Sequence, residues 1–189
     1  MKIMGFNGSP RKNGNTAWVI NKVLEGANKQ GAETEFFSCS ALEIKPCQGC
    51  LGCHRLDERG CVINDDMQKL YSTLEKANVL VLGSPVYMGQ MSAQTKIFTD
   101  RLFAQINPRF SPRFKEQNAG KKLVLVFTQG NPDADMFRVY YDYTKHMFQL
   151  LEFEVIGLHV VAGMRSEAAC EREGLEKEMK DVGAALTVR

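Results

Sequence analysis

The sequence predicts an α/β fold built on a doubly wound, five-stranded parallel sheet. Five apolar, strand-like runs alternate with five segments of helical spacing. Two of the strand-like runs, residues 78–84 and 121–128, contain unbroken apolar stretches, which is typical of parallel strands covered on both faces. Because ligands of such sheets bind beyond the carboxyl ends of the strands, we expect a binding site in the loops that follow them.

The elements follow one another as in a chain of βα units. The predicted strands cover residues 2–7, 33–38, 78–84, 121–128 and 153–161. The predicted helices cover residues 16–30, 65–77, 92–105, 135–150 and 171–187, with Asn15, Asn64 and Ser92 as candidate N-caps. At 189 residues the chain needs only one hydrophobic core. The prediction is therefore a single domain over residues 1–189, with a cysteine-rich insertion at about 45–64.

Composition and charge argue against several classes of protein. A net charge of +2 and a pI of about 8.2 do not indicate the excess of positive charge with which proteins bind nucleic acid. The first residues contain too few apolar positions for a signal-peptide core, and no apolar run reaches the length of a membrane span. We therefore expect a cytoplasmic protein without a nucleic-acid or membrane partner. Because thiols stay reduced in that compartment, the six cysteines do not suggest a disulfide framework.

Four cysteines within fifteen residues are the most unusual chemical feature of the sequence: Cys47, Cys50, Cys53 and Cys61. Three of them recur at intervals of three, so one tight loop can direct several sulfurs to a single point. This pattern favours a [4Fe–4S] cluster and, with it, electron transfer. A zinc site usually has two separated two-cysteine knuckles, which this continuous run lacks. Zinc and metal-free thiols nevertheless stay open as alternatives.

The loop over residues 7–16, between the first strand and the first helix, has the composition of an anion site. It contains two glycines, two hydroxyl side chains, one arginine, one lysine and no acidic residue, and it leads into a helix N-terminus. It lacks the Gly-Lys-Ser/Thr of a P-loop and the Gly-x-Gly-x-x-Gly of a dinucleotide site. The second strand also ends at Ser38-Cys39 without the carboxylate that binds a dinucleotide ribose. The loop therefore indicates a mononucleotide phosphate, with an ordinary polar turn as the alternative.

Two further loops follow the third and fourth strands. Residues 83–92 combine backbone amides with the aromatic face of Tyr87, which suits a flat heteroaromatic ring. Residues 128–132 could close the same pocket from the other side. Three donor-bearing loops at the carboxyl ends of neighbouring strands jointly predict one ligand pocket.

Four sequence motifs together resemble a known family. They are Gly8-Ser-Pro-Arg-x-x-Gly-Asn-Thr16, Ser84-Pro-Val-Tyr-x-Gly89, Ser92-Ala-Gln-x-Lys-x3-Asp-Arg-Leu102 and Cys47-x2-Cys50-x2-Cys53-x7-Cys61-Val-Ile-x-Asp-Asp-Met67. This combination resembles the iron-sulfur flavoprotein branch of the NAD(P)H-dependent FMN reductase superfamily, which has the flavodoxin-like fold. The similarity runs from the first strand through the third helix and more loosely to the end. Asp100 and Arg101 within the third motif are interpreted as a structural ion pair rather than a catalytic one.

The resemblance implies a strand order of 2-1-3-4-5, a bound FMN and a [4Fe–4S] cluster on the four cysteines. For the FMN phosphate it implies Ser9, Arg11, Asn13, Asn15 and Thr16. For the flavin ring it implies Ser84, Pro85, Val86, Tyr87, Met88 and Gly89, with Thr128, Gln129, Gly130 and Asn131 nearby. It also implies a homodimer or homotetramer that brings the cluster near the flavin of a neighbouring subunit.

The implied function is that of an FMN oxidoreductase without a catalytic side chain, because the flavin performs the chemistry. Electrons would pass from NAD(P)H or a small iron–sulfur carrier such as ferredoxin to a quinone, an oxygen species or another protein. One alternative is a non-enzymatic electron shuttle, although such proteins are strongly acidic and this chain is slightly basic. Another is a zinc-stabilised binding domain that has kept the fold without the redox role.

Overall fold

The computed structural model describes residues 1–54, 60–105 and 120–188, and it confirms the predicted α/β architecture. The strands are β1 Lys2–Asn7, β2 Glu33–Ser38, β3 Val79–Tyr87, β4 Gln90–Met91, β5 Lys122–Thr128 and β6 Glu154–Val161. The helices are α1 Asn15–Lys29, α2 Met67–Lys76, α3 Ala93–Arg101, α4 Arg138–Leu150 and α5 Leu175–Ala185. None of the helices in these ranges has the length and apolarity needed to cross a membrane.

The sheet has the strand order β2-β1-β3-β5-β6, and all of these neighbours are parallel. The predicted order 2-1-3-4-5 is thus confirmed for the five long strands. The sequence did not predict β4, which pairs antiparallel with the end of β3 and is only two residues long. The chain winds to β2 on one side of β1 and to β3 on the other. The crevice beyond the carboxyl ends of β1 and β3 is therefore where a ligand is expected.

Each face of the sheet has its own hydrophobic core, because successive side chains of a strand point to opposite faces. On one face α1 and α5 pack over the sheet, with a core that includes Ile3, Val81, Val126, Ile20 and Met179. On the other face lie α2, α3 and α4, with a core that includes Met4, Leu80, Leu125, Leu70, Phe98 and Tyr141. The two layers of helices hold the strand ends, and hence the loops of the crevice, in fixed positions.

Of the three predicted helix caps only Ser92 is confirmed. Its hydroxyl accepts a hydrogen bond from the N–H of Thr95 at 3.1 Å. Asn15 is the first residue of α1 and not its cap, and its side-chain oxygen accepts from the N–H of Ala169 at 3.0 Å. Asn64 lies too far ahead of α2 to cap that helix, so this prediction was wrong as well. Because Asn15 does not cap α1, no side chain of the described residues caps that helix.

Helices α1 and α5 approach each other closely at two glycines. A Cβ atom at Gly26 would lie 2.0 Å from the carbonyl oxygen of Lys180. A Cβ atom at Gly183 would lie 1.8 Å from the carbonyl oxygen of Val23. The atoms that these groups would meet belong to the backbone and cannot rotate away. Glycine is therefore required at both positions if the helices are to keep this distance.

We expect Gly183→Ala to lower the free energy of unfolding by about 1–3 kcal/mol, which is the usual effect of overpacking. Intrinsic helix propensity alone would change it in the opposite direction, by about 1 kcal/mol. Urea unfolding measures the difference. The matched control is Lys29→Ala at an exposed position in the last turn of α1, which should stay within about 0.5 kcal/mol of wild type. A Gly183→Ala protein as stable as wild type would show that the close approach is not needed.

Candidate functional site

The loop between β1 and α1 is shaped by buried polar side chains. Asn7 is fully buried; its amide donates to the Ser38 hydroxyl at 3.0 Å, and its side-chain oxygen accepts from the N–H of Ser9 at 3.1 Å. The Ser9 hydroxyl is also buried and accepts from the N–H of Arg11 at 3.2 Å. The side chains of Arg11 and Asn13, by contrast, are exposed. The loop is therefore held in shape from inside while its charged and amide groups face solvent.

The N-terminus of α1 fits an anionic group. Gly14 occupies the cap position, the first turn contains no acidic residue, and the described residues provide no side-chain cap. The first N–H groups of a helix have no partner within the helix and carry its positive dipole end. Arg11 and Lys12 add two positive charges just before it. The Thr16 hydroxyl lies 2.6 Å from the Thr128 hydroxyl, which ties this helix end to the end of β5. This set of donors suits the phosphate of a mononucleotide.

The loops after β1 and β3 are in direct contact. The N–H of Gly8 donates to the carbonyl oxygen of Gly83 at 2.8 Å. A Cβ atom at Gly8 would lie 1.8 Å from Oγ1 of Thr95, and one at Gly83 would lie 2.4 Å from Cδ1 of Ile20. Gly8 is thus needed for its loop to pack on α3, whereas a side chain at position 83 would displace Ile20.

A buried hydroxyl cluster supports this contact: Ser84, Ser92 and Thr95. The Ser92 hydroxyl donates to the carbonyl oxygen of Gly8 at 2.6 Å. The Ser84 hydroxyl accepts from the N–H of Ser92 at 3.0 Å and from the Thr95 hydroxyl at 2.9 Å. Ser84, which the resemblance assigns to the flavin, therefore has its hydroxyl engaged within the protein. Sequence reasoning missed Thr95, whose only signal was its position three residues after a capping serine.

The β3–β4 hairpin forms the second loop of the site and turns at Met88-Gly89. Both residues have positive φ, 49° and 78°, which two-residue hairpins of type I′ require. Glycine adopts this conformation easily, but a methionine in it is strained, and such strain is often found at functional sites. Met88 is also fully exposed, whereas Pro85 is buried and Val86 half-buried. The hairpin therefore presents an apolar tip to solvent.

The third loop uses the predicted residue Gln129 for its own support. The Gln129 amide donates to the carbonyl oxygens of Asn131, at 3.1 Å, and Asp133, at 2.6 Å, and its side-chain oxygen accepts from the Tyr141 hydroxyl. Its backbone N–H donates to the carbonyl oxygen of Val161. Burial raises the pKa of Tyr141 to about 12, so this hydroxyl keeps its proton at neutral pH. Gln129 shapes the loop, while Gly130 and Asn131 are half-buried at its edge.

A fourth loop, after β6, joins the site and was missed by sequence reasoning. The N–H of Met164 donates to the carbonyl oxygen of Gln129 at 2.9 Å, and the N–H of Gly163 donates to that of Asn131 at 2.8 Å. A Cβ atom at Gly130 would lie 2.9 Å from Cγ of Arg165. The exposed Arg165 thus lies beside the third loop. The available signal was that this segment, like the other three, follows a parallel strand.

The four cysteines of the insertion lie within the described residues, although residues 55–59 do not. Cys47 and Cys50 are exposed, and Cys53 and Cys61 are half-buried. Burial, together with the nearby thiol of Cys61, raises the pKa of Cys53. Across the described ranges, no three cysteine, histidine or acidic side chains come together as a metal site. The set of donors fits an iron–sulfur cluster in number and chemistry, but the sulfurs are not gathered at one point.

Both ends of the cysteine segment are attached to the end of α3 by a buried ion pair. The side chains of Arg101 and Asp65 are 0% and 2% exposed, and two hydrogen bonds of 2.7 and 3.1 Å join them. Arg101 also donates to the carbonyl oxygen of Lys45 at 2.8 Å, and Asp65 accepts from the N–H of Lys45 at 2.9 Å. The predicted pairing of Asp100 with Arg101 was therefore wrong. Asp100 pairs instead with Lys96 on the exposed side of α3.

The charge of Asp65 is stabilised in the folded state. Burial alone would raise its pKa, but hydrogen bonds from Arg101 and from the N–H groups of Lys45 and Met67 outweigh burial and hold the pKa below its ordinary value. A carboxyl group whose pKa is lowered by folding stabilises the protein above its unfolded-state pKa of about 3.9. That contribution is lost as the pH falls through the folded-state pKa.

We expect Asp65→Asn to lower the free energy of unfolding by about 3–5 kcal/mol at pH 7, because it leaves the buried Arg101 charge without a counterion. The difference from wild type should begin to narrow as the pH falls below about 4, where Asp65 of the unfolded chain is protonated, and it should become small only below the lower pKa of the folded state. Denaturant unfolding at several pH values tests both expectations. The control is Asp181→Asn, which removes an exposed pair with Lys177 and should cost less than about 1 kcal/mol. If the difference in unfolding free energy between Asp65→Asn and wild type did not depend on pH, the charge of Asp65 would not be what stabilises the fold.

Comparison with known proteins gives a consistent result. A family model described as NADPH-dependent FMN reductase matches residues 1–168. An iron-sulfur flavoprotein of Methanocaldococcus jannaschii is 42% identical over 101 residues, which are 53% of this chain and 51% of that protein. An iron-sulfur flavoprotein of Methanosarcina thermophila is 42% identical over 101 residues, 53% of this chain and 52% of that protein. These matches confirm the resemblance to iron-sulfur flavoproteins, and the chain spans about half the length of the curated relatives it matches.

Among solved structures, the NAD(P)H:quinone oxidoreductase of Methanothermobacter marburgensis superimposes with a TM-score of 0.73. The superposition covers 98% of this chain and 98% of that one, at 16% sequence identity. Similarity at this level of identity shows a shared fold.

Proposed function

The chain belongs to the NADPH-dependent FMN reductase family, and on that premise we propose that it is an FMN-dependent oxidoreductase. Its electrons would come from NAD(P)H or a small iron–sulfur carrier and pass to a quinone, an oxygen species or another protein. A bound flavin supplies reversible transfer of one or two electrons. The observation that carries the proposal is the uncapped N-terminus of α1, which follows a basic loop without acidic residues in the crevice between β1 and β3.

The phosphate of FMN would be bound by the loop over residues 8–16. Arg11 and Asn13 are exposed and can reach a ligand from the solvent side. Asn15 uses its side-chain oxygen to hold Ala169, which leaves its amide as a donor. Ser9 and Thr16 are buried beneath the loop and would contribute through their hydroxyl protons or by shaping the turn. The helix N-terminus adds backbone N–H groups and a favourable dipole.

The flavin ring would lie between the hairpin of β3 and β4 and the loop after β5. Val86, Tyr87 and Gly89 offer apolar and aromatic surface together with backbone donors. Gly130 and Asn131, which are half-buried, would line the opposite edge. Ser84 and Gln129, whose side chains are engaged within the protein, would act by holding these loops in place. The pocket would therefore be largely formed before the flavin binds, which lowers the entropic cost of binding.

We further propose that Cys47, Cys50, Cys53 and Cys61 bind a [4Fe–4S] cluster. Four thiols in one short segment match the ligand number of such a cluster. The buried Asp65–Arg101 pair holds both ends of the segment beside α3, so closing the sulfurs around a cluster requires movement only between these fixed ends. Relatives that share about 40% identity are named iron-sulfur flavoproteins.

We expect Arg11→Ala to weaken FMN binding by about tenfold or more, because a hydrogen bond to a charged group contributes about 1.5–3 kcal/mol. Titration of the quenching of FMN fluorescence measures the dissociation constant. The control is Lys177→Ala, which removes a positive charge from an exposed position on α5 and should leave the affinity unchanged. If Arg11→Ala and wild type bound FMN with equal affinity, Arg11 would not be a ligand of the phosphate.

Protein purified without oxygen should contain about four irons and four acid-labile sulfides per chain, the content of one cubane cluster. Cys53→Ser should lose most of this iron, whereas Cys170→Ser should keep it, because Cys170 is exposed and lies outside the segment. Metal analysis and colorimetric sulfide assays give the counts. Less than about one iron per chain in the wild type would contradict the cluster. About one zinc per chain in its place would favour the zinc-stabilised alternative.

A further inference from the structure

Two backbone N–H groups of the third loop have no hydrogen-bond partner among the described residues. They belong to Gly130 and Asn131, which are half-buried and lie just beyond the end of β5. The backbone around them is held in place. The carbonyl oxygen of Gln129 accepts from the N–H of Met164 at 2.9 Å, and that of Asn131 accepts from the N–H of Gly163 at 2.8 Å. The two N–H groups are therefore fixed in orientation, although no described hydrogen bond of the fold uses them.

The side chain of Gln129 supports this part of the loop from inside. Gln129 is 2% exposed, and its amide donates to the carbonyl oxygens of Asn131 at 3.1 Å and of Asp133 at 2.6 Å. The N–H of Asp133 in turn donates to the side-chain oxygen of Asn131 at 2.8 Å. One buried amide group thus determines the backbone position of the residue that carries one of the two unused donors.

The side-chain oxygen of Gln129 accepts a hydrogen bond from the hydroxyl of Tyr141 on α4. Tyr141 is completely buried, and its ring stacks on that of Phe127 in β5 with the ring centroids 4.6 Å apart. Burial raises the pKa of Tyr141 to about 12, so its hydroxyl keeps the proton that it donates. Without this donor the Gln129 oxygen would be a buried acceptor that lacks a partner, which is costly. The amide can lower that cost by turning, but turning breaks its bonds to the two loop carbonyls.

We propose that Tyr141 is a positioning residue for the flavin, which acts through Gln129 on the N–H groups of Gly130 and Asn131. Two-electron reduction with uptake of one proton adds one negative charge to a flavin ring. Donors that are fixed before this charge develops stabilise the reduced ring more than the oxidised ring, because they need no reorganisation. Tyr141 thereby raises the reduction potential of the bound flavin without touching it. This inference rests on the proposed function, in which the ring lies beside the third loop.

The variant Tyr141→Phe separates this role from a contribution to core packing, because it keeps the buried ring and removes only the hydroxyl. The matched control is Thr144→Val. Thr144 is buried on the same helix, and its hydroxyl donates at 2.9 Å to the carbonyl oxygen of Tyr140 and to no residue of the third loop that the structure describes. Both variants should lower the midpoint of thermal unfolding, but only Tyr141→Phe should change the properties of the flavin.

The test measures the affinity of the FMN-free chain for oxidised and for reduced FMN, together with the midpoint potential of the bound flavin. Tyr141→Phe should weaken the binding of reduced FMN about tenfold more than that of oxidised FMN, which lowers the potential of a two-electron couple by about 30 mV. Thr144→Val should keep the wild-type potential. Gln129→Met should lower the potential at least as far as Tyr141→Phe. The double variant should show no further decrease, because both changes remove the same interaction.

The effect on the loop can also be measured without flavin. Hydrogen exchange should be at least about tenfold faster in Tyr141→Phe than in wild type at the N–H groups that bond to this loop, because their local stability depends on Gln129. These are the N–H groups of Asp133, Gly163 and Met164. Thr144→Val should exchange at the wild-type rate at the same three positions.

A Tyr141→Phe chain that binds FMN with the wild-type potential would overturn this inference and leave the proposed function standing. Wild-type exchange rates at the three N–H groups, or an equal decrease in potential in Thr144→Val, would have the same meaning. A double variant whose decrease is the sum of the two single decreases would show that Tyr141 does not act through Gln129. A wild-type chain that binds no FMN would overturn the proposed function and this inference with it.

Discussion

The contact between Gly8 and Thr95 sets the geometry of the whole candidate site. No side chain fits at position 8, where a Cβ atom would lie 1.8 Å from the threonine hydroxyl. The loop after β1 is therefore pressed against the first turn of α3, and the hydroxyls of Ser84 and Ser92 complete the contact. At its other end, about 13 Å away, the same helix holds the cysteine segment through Arg101. One short helix thus relates the proposed flavin site to the proposed cluster site.

Polar residues in the site have two separate tasks, and burial distinguishes them. Asn7 and Gln129 are almost completely buried and satisfy their hydrogen bonds within the protein, so they determine loop shape. Arg11 and Asn13 are exposed and have no such structural task among the contacts of the described residues. Buried polar groups that are fully paired make a loop rigid. A ligand that binds at these loops therefore meets backbone donors that are already oriented.

The sequence predicts those features whose signal is local. Unbroken apolar runs identify the strands of a parallel sheet, whereas the glycines and basic residues of the first loop predict a phosphate site, which stays a prediction. The partner of Arg101 could not be predicted, because Asp65 lies 36 residues away and only the fold brings the two together. The hairpin strand β4 is too short to leave a periodic pattern. The density of the cysteines indicates their chemistry, but where their sulfurs point depends on backbone conformation.

The role of the buried Asp65–Arg101 pair is better explained by the position that it gives the cysteine segment than by a gain in the stability of the fold. Removing two charges from water costs about as much as their attraction returns, so well-packed apolar residues would often stabilise a protein equally well. A planar arginine with two hydrogen bonds to a carboxylate, however, accepts only one orientation of its partner. The segment that this pair holds exposes Cys47 and Cys50 to solvent, and apolar packing there cannot fix their place. A directional ion pair at the ends of the segment can set that place, because it fixes the positions of Lys45 and Asp65, between which the cysteines lie.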